Sequence, residues 1–367
     1  MAIVKTERHP DLPPPASEAG VIGWLRNNLV SSPLNAILTV ISIYVIWVAL
    51  SNLLSYAFIN ANFAGDTRAD CTDSGACWVF IKVRFGQIMY GFYPAEERWR
   101  VDIGYVLGAI GLFGILSDWV KNKKWPTIYM FAIYPVICYF LFSGGYFGLP
   151  TVETSEWGGL FLTLVLASVS IFVALPLGVV LALGRRSEMP VVRMLCVGFI
   201  ELIRGVPLIT VLFMASVMLP LFMPEGVNFD KLVRALVGMS LFSAAYMAEV
   251  VRGGLQAIPK GQMEASNSLG LGFWQAMRLI ILPQALKISI PSIVNTFIGL
   301  FKDTTLVLII GLLDLLSIVK AGTTDKEWLG MATEGYVFVA ATFWVFCFGM
   351  SRYSIWLENK LHTGHKR

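Results

Sequence analysis

Lys302 and Asp303 stand side by side in FKDTTLVLIIGLLDLL, a stretch that is otherwise strongly apolar. If that stretch spans a bilayer, each charge costs about 2.5–3.5 kcal/mol to insert, so it faces water or a packed bundle interior. Asn295, Thr296, Gly299, Asp303 and Thr304 recur at three- to four-residue spacing, which gathers most of them on one face of a helix. That face is a candidate lining for a polar pathway. Glu249, Arg204 and Arg252 also fall within or beside apolar runs. Two readings stand for these charges: they line a route for a solute, or they neutralise one another and cap helix ends at the membrane surface.

A second group of residues has the chemistry of a grip rather than a pathway. The stretch EASNSLGLGFWQAMRLIILP contains Glu264, Ala265, Ser266, Gly270, Ile280, Leu282 and Pro283, between two apolar segments and among Lys260, Arg278 and Lys287. Such a loop belongs outside the bilayer. Small side chains at Ala265 and Ser266 let another surface approach closely, Gly270 can end a short helix by turning left-handed, and Pro283 stops or kinks the helix before it.

Catalytic chemistry finds little support. The only histidines are His9, His362 and His365, which leaves no metal cluster, and no phosphate-cradling G-x-x-x-x-G-K-[ST] loop or nucleophile elbow is present. Among five cysteines, Cys138, Cys196 and Cys347 lie in apolar runs, where the residue behaves as a small hydrophobe. Cys71 and Cys77, in CTDSGAC and flanked by Asp66, Asp70 and Asp73, are a disulfide candidate if their loop reaches an oxidising compartment. Two free thiols or a metal role are the other readings.

The elements that position these groups are membrane spans. Hydrophobic residues make up 56% of the 367 and charged residues 14%, against about 25% charged in soluble domains; the mean hydropathy is +0.68. The net charge of +4 carries no basic stripe interleaved with aromatics, which argues against nucleic-acid binding. About eight runs approach the ~20 apolar residues that cross a bilayer: 36–57, 101–119, 125–147, 159–183, 191–222, 232–251, 288–316 and 336–356. Lys and Arg cluster before the first run, and after the second, fourth, sixth and eighth. That places both termini in the cytoplasm. The segment 60–100 then lies outside although it carries five Lys and Arg, which a long loop tolerates. Residues 1–16 are polar and lack the apolar core of a signal peptide. Val21 to Val30 read either as an amphipathic helix on the membrane surface, with Trp24 at headgroup level, or as a plain linker. Pro176, Pro207 and Pro291 fall inside or at the start of spans and can kink them.

The Glu264–Pro283 loop and four further ordered blocks carry a family resemblance, over a little more than half the chain. The Glu264–Pro283 spacing resembles the EAA loop of permease subunits of bacterial ABC importers, with Ser266 where Ala is usual. FIELIRGVPLITVLF resembles the "E-x-x-R-G-[TS]-P-L" of the polar amino acid subfamily at Glu201, Arg204, Gly205, Pro207 and Leu208, with Val206 in place of Thr. AAYMAEVVRGGLQAIPKGQMEA resembles it at Glu249, Arg252 and Pro259, and FKDTTL at Lys302, Asp303, Thr304, Thr305 and Leu306. The entry span GGLFLTLVLASVSIFVALPLGVVLALGRRS is similar at Thr163, Ser168, Ser170, Gly178 and Arg185.

The resemblance implies an all-α integral membrane protein with a C-terminal five-helix permease core and a cytoplasmic coupling helix. It divides the chain into a cytoplasmic segment 1–34, a three-span extension 35–157, a permease domain 158–361 and a tail 362–367. It further implies an inner-membrane, binding-protein-dependent importer of L-amino acids that works with a second permease subunit, homologous rather than identical, two ATPase subunits that bind ATP and Mg, and a periplasmic amino-acid-binding protein. A pathway for an amino acid needs acceptors for the ammonium, here Asp303, Glu249 and Thr hydroxyls, and donors for the carboxylate, here Arg204, Arg252 or Lys302. Two other classes compete: an ATP-independent secondary transporter or channel for small polar solutes, and a non-transporting membrane anchor.

Overall fold

The computed structural model describes residues 20–72, 74–224 and 229–361. Asp73, the proline run and His9 near the N-terminus, and the 362–367 tail with its two histidines lie outside the described residues. Two compact units divide the chain, Met1–Val79 and Phe80–Arg367.

In the first unit a short helix, α1 (Gly20–Leu29), precedes α2 (Pro33–Leu54). Ser32 caps α2 by accepting from the Asn35 N–H, with Pro33 at the first helical position where its missing donor costs nothing. A widened π turn extends the rod to Ile59, and no residue of α2 is buried by protein. Beyond it the chain folds back on itself. The Trp78 indole donates to the Ala57 carbonyl at 2.7 Å, and the sulfurs of Cys71 and Cys77 are bonded, with their Cα atoms 5.5 Å apart.

The second unit opens with α3 (Val79–Tyr90), a helix inside the segment read from sequence as a loop. Next come α4 (Arg98–Leu116), α5 (Lys124–Ile128) and α6 (Tyr134–Ser143), the last two joined by a π turn into one rod. The second span begins at Ala95 and ends at Leu116, and the third ends at Ser143, so both stop short of the Trp119 and Phe147 boundaries. The early start of α4 takes in Arg100. Its fully buried guanidinium pairs with Glu97 at 2.7 Å and donates to the Pro150 carbonyl at 2.9 Å. An ion pair and one carbonyl hold this buried charge in the first turn of the helix, while Nε and Nη2 have no hydrogen-bond partner among the described residues.

The core is built by α7 (Gly159–Arg185), α8 (Pro190–Arg204), α9 (Leu208–Phe213) and α10 (Lys231–Ala257). It continues with α11 (Lys260–Ser268), α12 (Phe273–Ala276), α13 (Leu282–Asp303), α14 (Leu315–Thr323) and α15 (Ala332–Leu361). The run expected as a span over 191–222 is not straight: α8 and the Leu208–Phe222 segment pass as a candidate span only together, and they meet at a 106° bend. Gly205 closes α8 by donating to the Glu201 and Leu202 carbonyls, and Pro207 forbids a helical Val206 and starts α9. The span expected over 288–316 is also corrected. A single helical run extends from Phe273 to Ile310, and Leu315 and Leu316 belong to α14. Pro283 does not end that run, because a π turn at Met277–Ile281 widens the helix just ahead of it, which removes the clash between the proline ring and the preceding turn.

Past Ile310 the chain reverses, and Asp314 caps α14 by accepting from the Leu316 and Ser317 N–H groups and the Ser317 hydroxyl. Burial pushes the Asp314 carboxyl above its ordinary value while those donors pull against the shift. The Leu315 N–H donates to the buried Thr163 hydroxyl at 3.0 Å, tying this reversal to α7.

Small residues let the three central helices close on one another, as membrane helices without a hydrophobic driving force require. A Cβ at Gly178 of α7 would sit 2.6 Å from Met247 Cβ on α10. A Cβ at Gly254 of α10 would sit 2.5 Å from the Ala285 carbonyl oxygen and overlap Ser289 on α13, whereas one at the adjacent Gly253 would meet nothing within 4 Å. We expect Gly254→Ala to lower stability by about 1–3 kcal/mol through overpacking, and Gly253→Ala to be neutral or to raise it by up to about 1 kcal/mol through helix propensity. Thermal unfolding of the two purified variants in detergent measures the difference.

Candidate functional site

Glu249 is the centre of the charged site. It lies two turns before the end of α10 and is 15% exposed. Three guanidinium groups converge on its carboxylate from three helices. Arg185, at the last position of α7, donates to Oε1 at 2.7 Å. Arg252, one turn further along α10, donates twice to Oε2, at 2.9 and 2.7 Å. Arg204, at the end of α8, holds a longer ion pair at 3.4 Å and lies over the Tyr246 ring. Arg185 also donates to Glu201 of α8 at 2.9 Å. Five charged side chains therefore join α7, α8 and α10, with three positive and two negative charges.

Of the residues singled out from sequence, this network gathers Arg204, Glu249 and Arg252. Their geometry is that of charges neutralising one another near helix ends. Arg185 and Glu201, not singled out as site residues, complete it. Both stood in quoted sequence blocks at span ends, and that position was their only signal.

The structure does not bring this network to Asp303. Ser289 of α13 donates to the Val250 carbonyl, so Glu249 is level with the first half of α13. Asp303 lies fourteen residues further along, about 20 Å at 1.5 Å per residue. Here Asn295 and Lys302 are exposed and Asp303 is half-buried. Among the described residues, neither the Lys302 ammonium nor the Asp303 carboxylate has a hydrogen-bond or ion-pair partner. Thr304 differs: it is fully buried, and its hydroxyl donates to the Phe301 carbonyl at 2.7 Å, so it closes the helix rather than facing a route.

The loop between α10 and α13 forms a compact helical knob. Pro259 leads into α11, which carries Glu264 and Ala265 exposed and Ser266 buried. The Ser266 hydroxyl donates to the Gln262 carbonyl at 2.7 Å. Gly270 takes φ +74°, its N–H donates to Asn267, and the Leu271 N–H reaches back to Ser266, the paired bonds of a Schellman cap. Only residues up to Gly272 form the connection. Phe273 begins the long helix, so Ile280, Leu282 and Pro283 belong to that helix rather than to a loop. Leu269, Phe273 and Trp274, not singled out from sequence, are 76%, 54% and 70% exposed beside the knob.

Among the described residues, seven helices are long and apolar enough to cross a membrane, a further candidate span is broken by a sharp bend, and a helical knob connects two of them, the make-up of a multi-pass helical membrane protein. The chain belongs to the family of binding-protein-dependent transport system inner membrane components, whose family model matches residues 174–363. It is 56% identical to the inner membrane amino-acid ABC transporter permease protein YhdY of Escherichia coli, over 97% of each chain. It is 40% identical to the glutamate/glutamine/aspartate/asparagine transport system permease protein BztC of Rhodobacter capsulatus, over 100% of this chain and 99% of that one. A crystal structure of an amino acid ABC transporter with histidines is similar over 55% of this chain and 92% of its own, at 32% identity and a TM-score of 0.48.

Removing the Glu249 charge leaves three guanidiniums facing one another. We expect Glu249→Gln to destabilise the protein by about 3 kcal/mol, near the low end for breaking a buried pair. Glu201→Gln, at a 55% exposed side chain, should cost at most about 1 kcal/mol. Denaturation of both variants tests that order.

Proposed function

We propose that this chain is the permease subunit of an ATP-driven, binding-protein-dependent importer of L-amino acids in a bacterial inner membrane, with both termini cytoplasmic. Family membership and the amino-acid permease names of the full-length relatives support this reading. The observation that carries it is the exposed, rigidly capped knob at α11, flanked by the bare side chains of Leu269, Phe273 and Trp274. A separate ATPase subunit, which holds ATP and Mg, docks there. Glu264, Ala265, Ser266 and Gly270 shape the contact, and Ile280, Leu282 and Pro283 anchor the start of the helix that receives the motion.

A homologous second permease completes the pathway, and a periplasmic amino-acid-binding protein delivers the solute. The face of α13 that carries Asn295, Lys302 and Asp303 lines the route, its unpartnered charges available to an ammonium and a carboxylate. The Arg204–Glu249–Arg252 network contributes by holding the helices at the cytoplasmic end in register. The Cys71–Cys77 loop lies in the periplasm, where its disulfide is stable.

Closure of the ATPase pair pushes on α11, and α10 and α13, which flank it, carry the displacement into the span bundle. Replacing Gly270 with Leu forces a β-carbon into a left-handed turn and reshapes the knob. We expect this variant and Glu264→Trp to retain ATP hydrolysis while uptake falls roughly tenfold, the consequence of about 1.4 kcal/mol of lost coupling. Parallel assays of hydrolysis and uptake in the reconstituted complex test this, and normal coupled uptake would remove the docking role. Asp303→Asn should lower uptake of cationic relative to acidic amino acids, as measured by competition among labelled substrates.

A further inference from the structure

A cavity of about 730 Å³ opens where α7 turns into α8; Arg185, Arg186, Arg193 and Arg252 are among its lining residues, with Glu188 as the one acidic residue of the lining. Arg185 and Arg252 are held by Glu249. Arg186 and Arg193 are exposed and, among the described residues, have no hydrogen-bond or ion-pair partner. The cavity therefore has an excess of unengaged positive charge, and an anion is its natural occupant.

The surface beside the cavity narrows the choice. α8 presents Val191, Met194, Leu195 and Leu202 at 63%, 66%, 64% and 68% exposure, spaced so that they fall on one side of the helix, with Gly198 between the first three and the last. Arg193 and Val197 lie on the flank of the helix that faces the cavity, and Met194 belongs to both cavity and stripe. The 106° bend after Arg204 turns α8 away from the direction of the α9 segment that follows, as a helix lying along the membrane surface must turn. A ligand that uses the whole feature has a negative head and a hydrocarbon body. A free anion would leave the stripe bare.

We infer that this cavity seats the headgroup of an anionic phospholipid, with Arg186 and Arg193 on the phosphate and the acyl chains along the α8 stripe. Occupancy fastens the α7–α8 corner to the membrane surface beside the Glu249 network. The inference rests on the chain being a membrane subunit. It does not depend on ATP or on the transported solute, so its failure and the failure of the importer reading are separate outcomes.

The test is native mass spectrometry of the full-length chain, released from detergent micelles containing phosphatidylglycerol or phosphatidylcholine. Wild type should retain phosphatidylglycerol in preference. Arg186→Gln with Arg193→Gln should weaken that retention about thirty-fold, since each basic side chain at a charged membrane surface is worth roughly fivefold. Arg186→Lys with Arg193→Lys should keep most of it. Both double variants should elute and melt as wild type does, because neither residue holds Glu249. Equal retention by the glutamine variant, equal retention of phosphatidylcholine, or release of phosphatidylglycerol by millimolar inorganic phosphate would overturn the assignment.

Discussion

A carboxylate inside a membrane span is tolerable only if its charge is answered on the spot, and Glu249 meets that condition by drawing in Arg185, Arg204 and Arg252. The arginines come from the ends of α7, α8 and α10, so satisfying one charge also fixes where three helices meet. The small-residue contacts at Gly178 and Gly254 then set how closely α7, α10 and α13 approach. α10 ends eight residues past Glu249 and passes through Pro259 into the knob. The exposed knob is thus joined by one short helical segment to the five-charge network at Glu249.

The parts that the sequence disclosed were those that depend on composition. Spans follow from apolar runs, and although the helix expected from 288 starts at Phe273, most of their ends were readable to within several residues. Direction was not. Nothing in the hydropathy of 191–222 distinguishes a straight crossing from a 106° bend, because the bend is set by Gly205 and Pro207, whose effect on backbone angles leaves the average unchanged. Pro283 misled in the opposite sense: a π turn absorbed it and the helix ran on. The charged segment 60–100 hid α3 and the start of α4, since Arg100 looks like a loop residue until Glu97 and the Pro150 carbonyl are seen around it. At the site, charge pairing was legible as an alternative, but which residues paired was not, because Arg185, Glu201 and Glu249 are brought together by helix packing over long stretches of chain.

The charged residues therefore separate into two populations with different physics. Those at Glu249 are paired and structural in form. Lys302 and Asp303, about 20 Å away along α13, have no hydrogen-bond or ion-pair partner among the described residues. The region before residue 158 is not an appendage peculiar to this chain. The matches to YhdY and BztC extend over 97% and 100% of it, and Tyr93, Val101, Cys138 and Phe142 share one buried cluster with Phe161, Leu162 and Leu212 of the permease core.

The most direct measurement is uptake of labelled amino acids by liposomes that contain this chain with its partner permease, ATPase and binding protein. The account predicts uptake that requires both internal ATP and the binding protein, and that persists when ion gradients are collapsed. Uptake sustained by an ion gradient without ATP would contradict it.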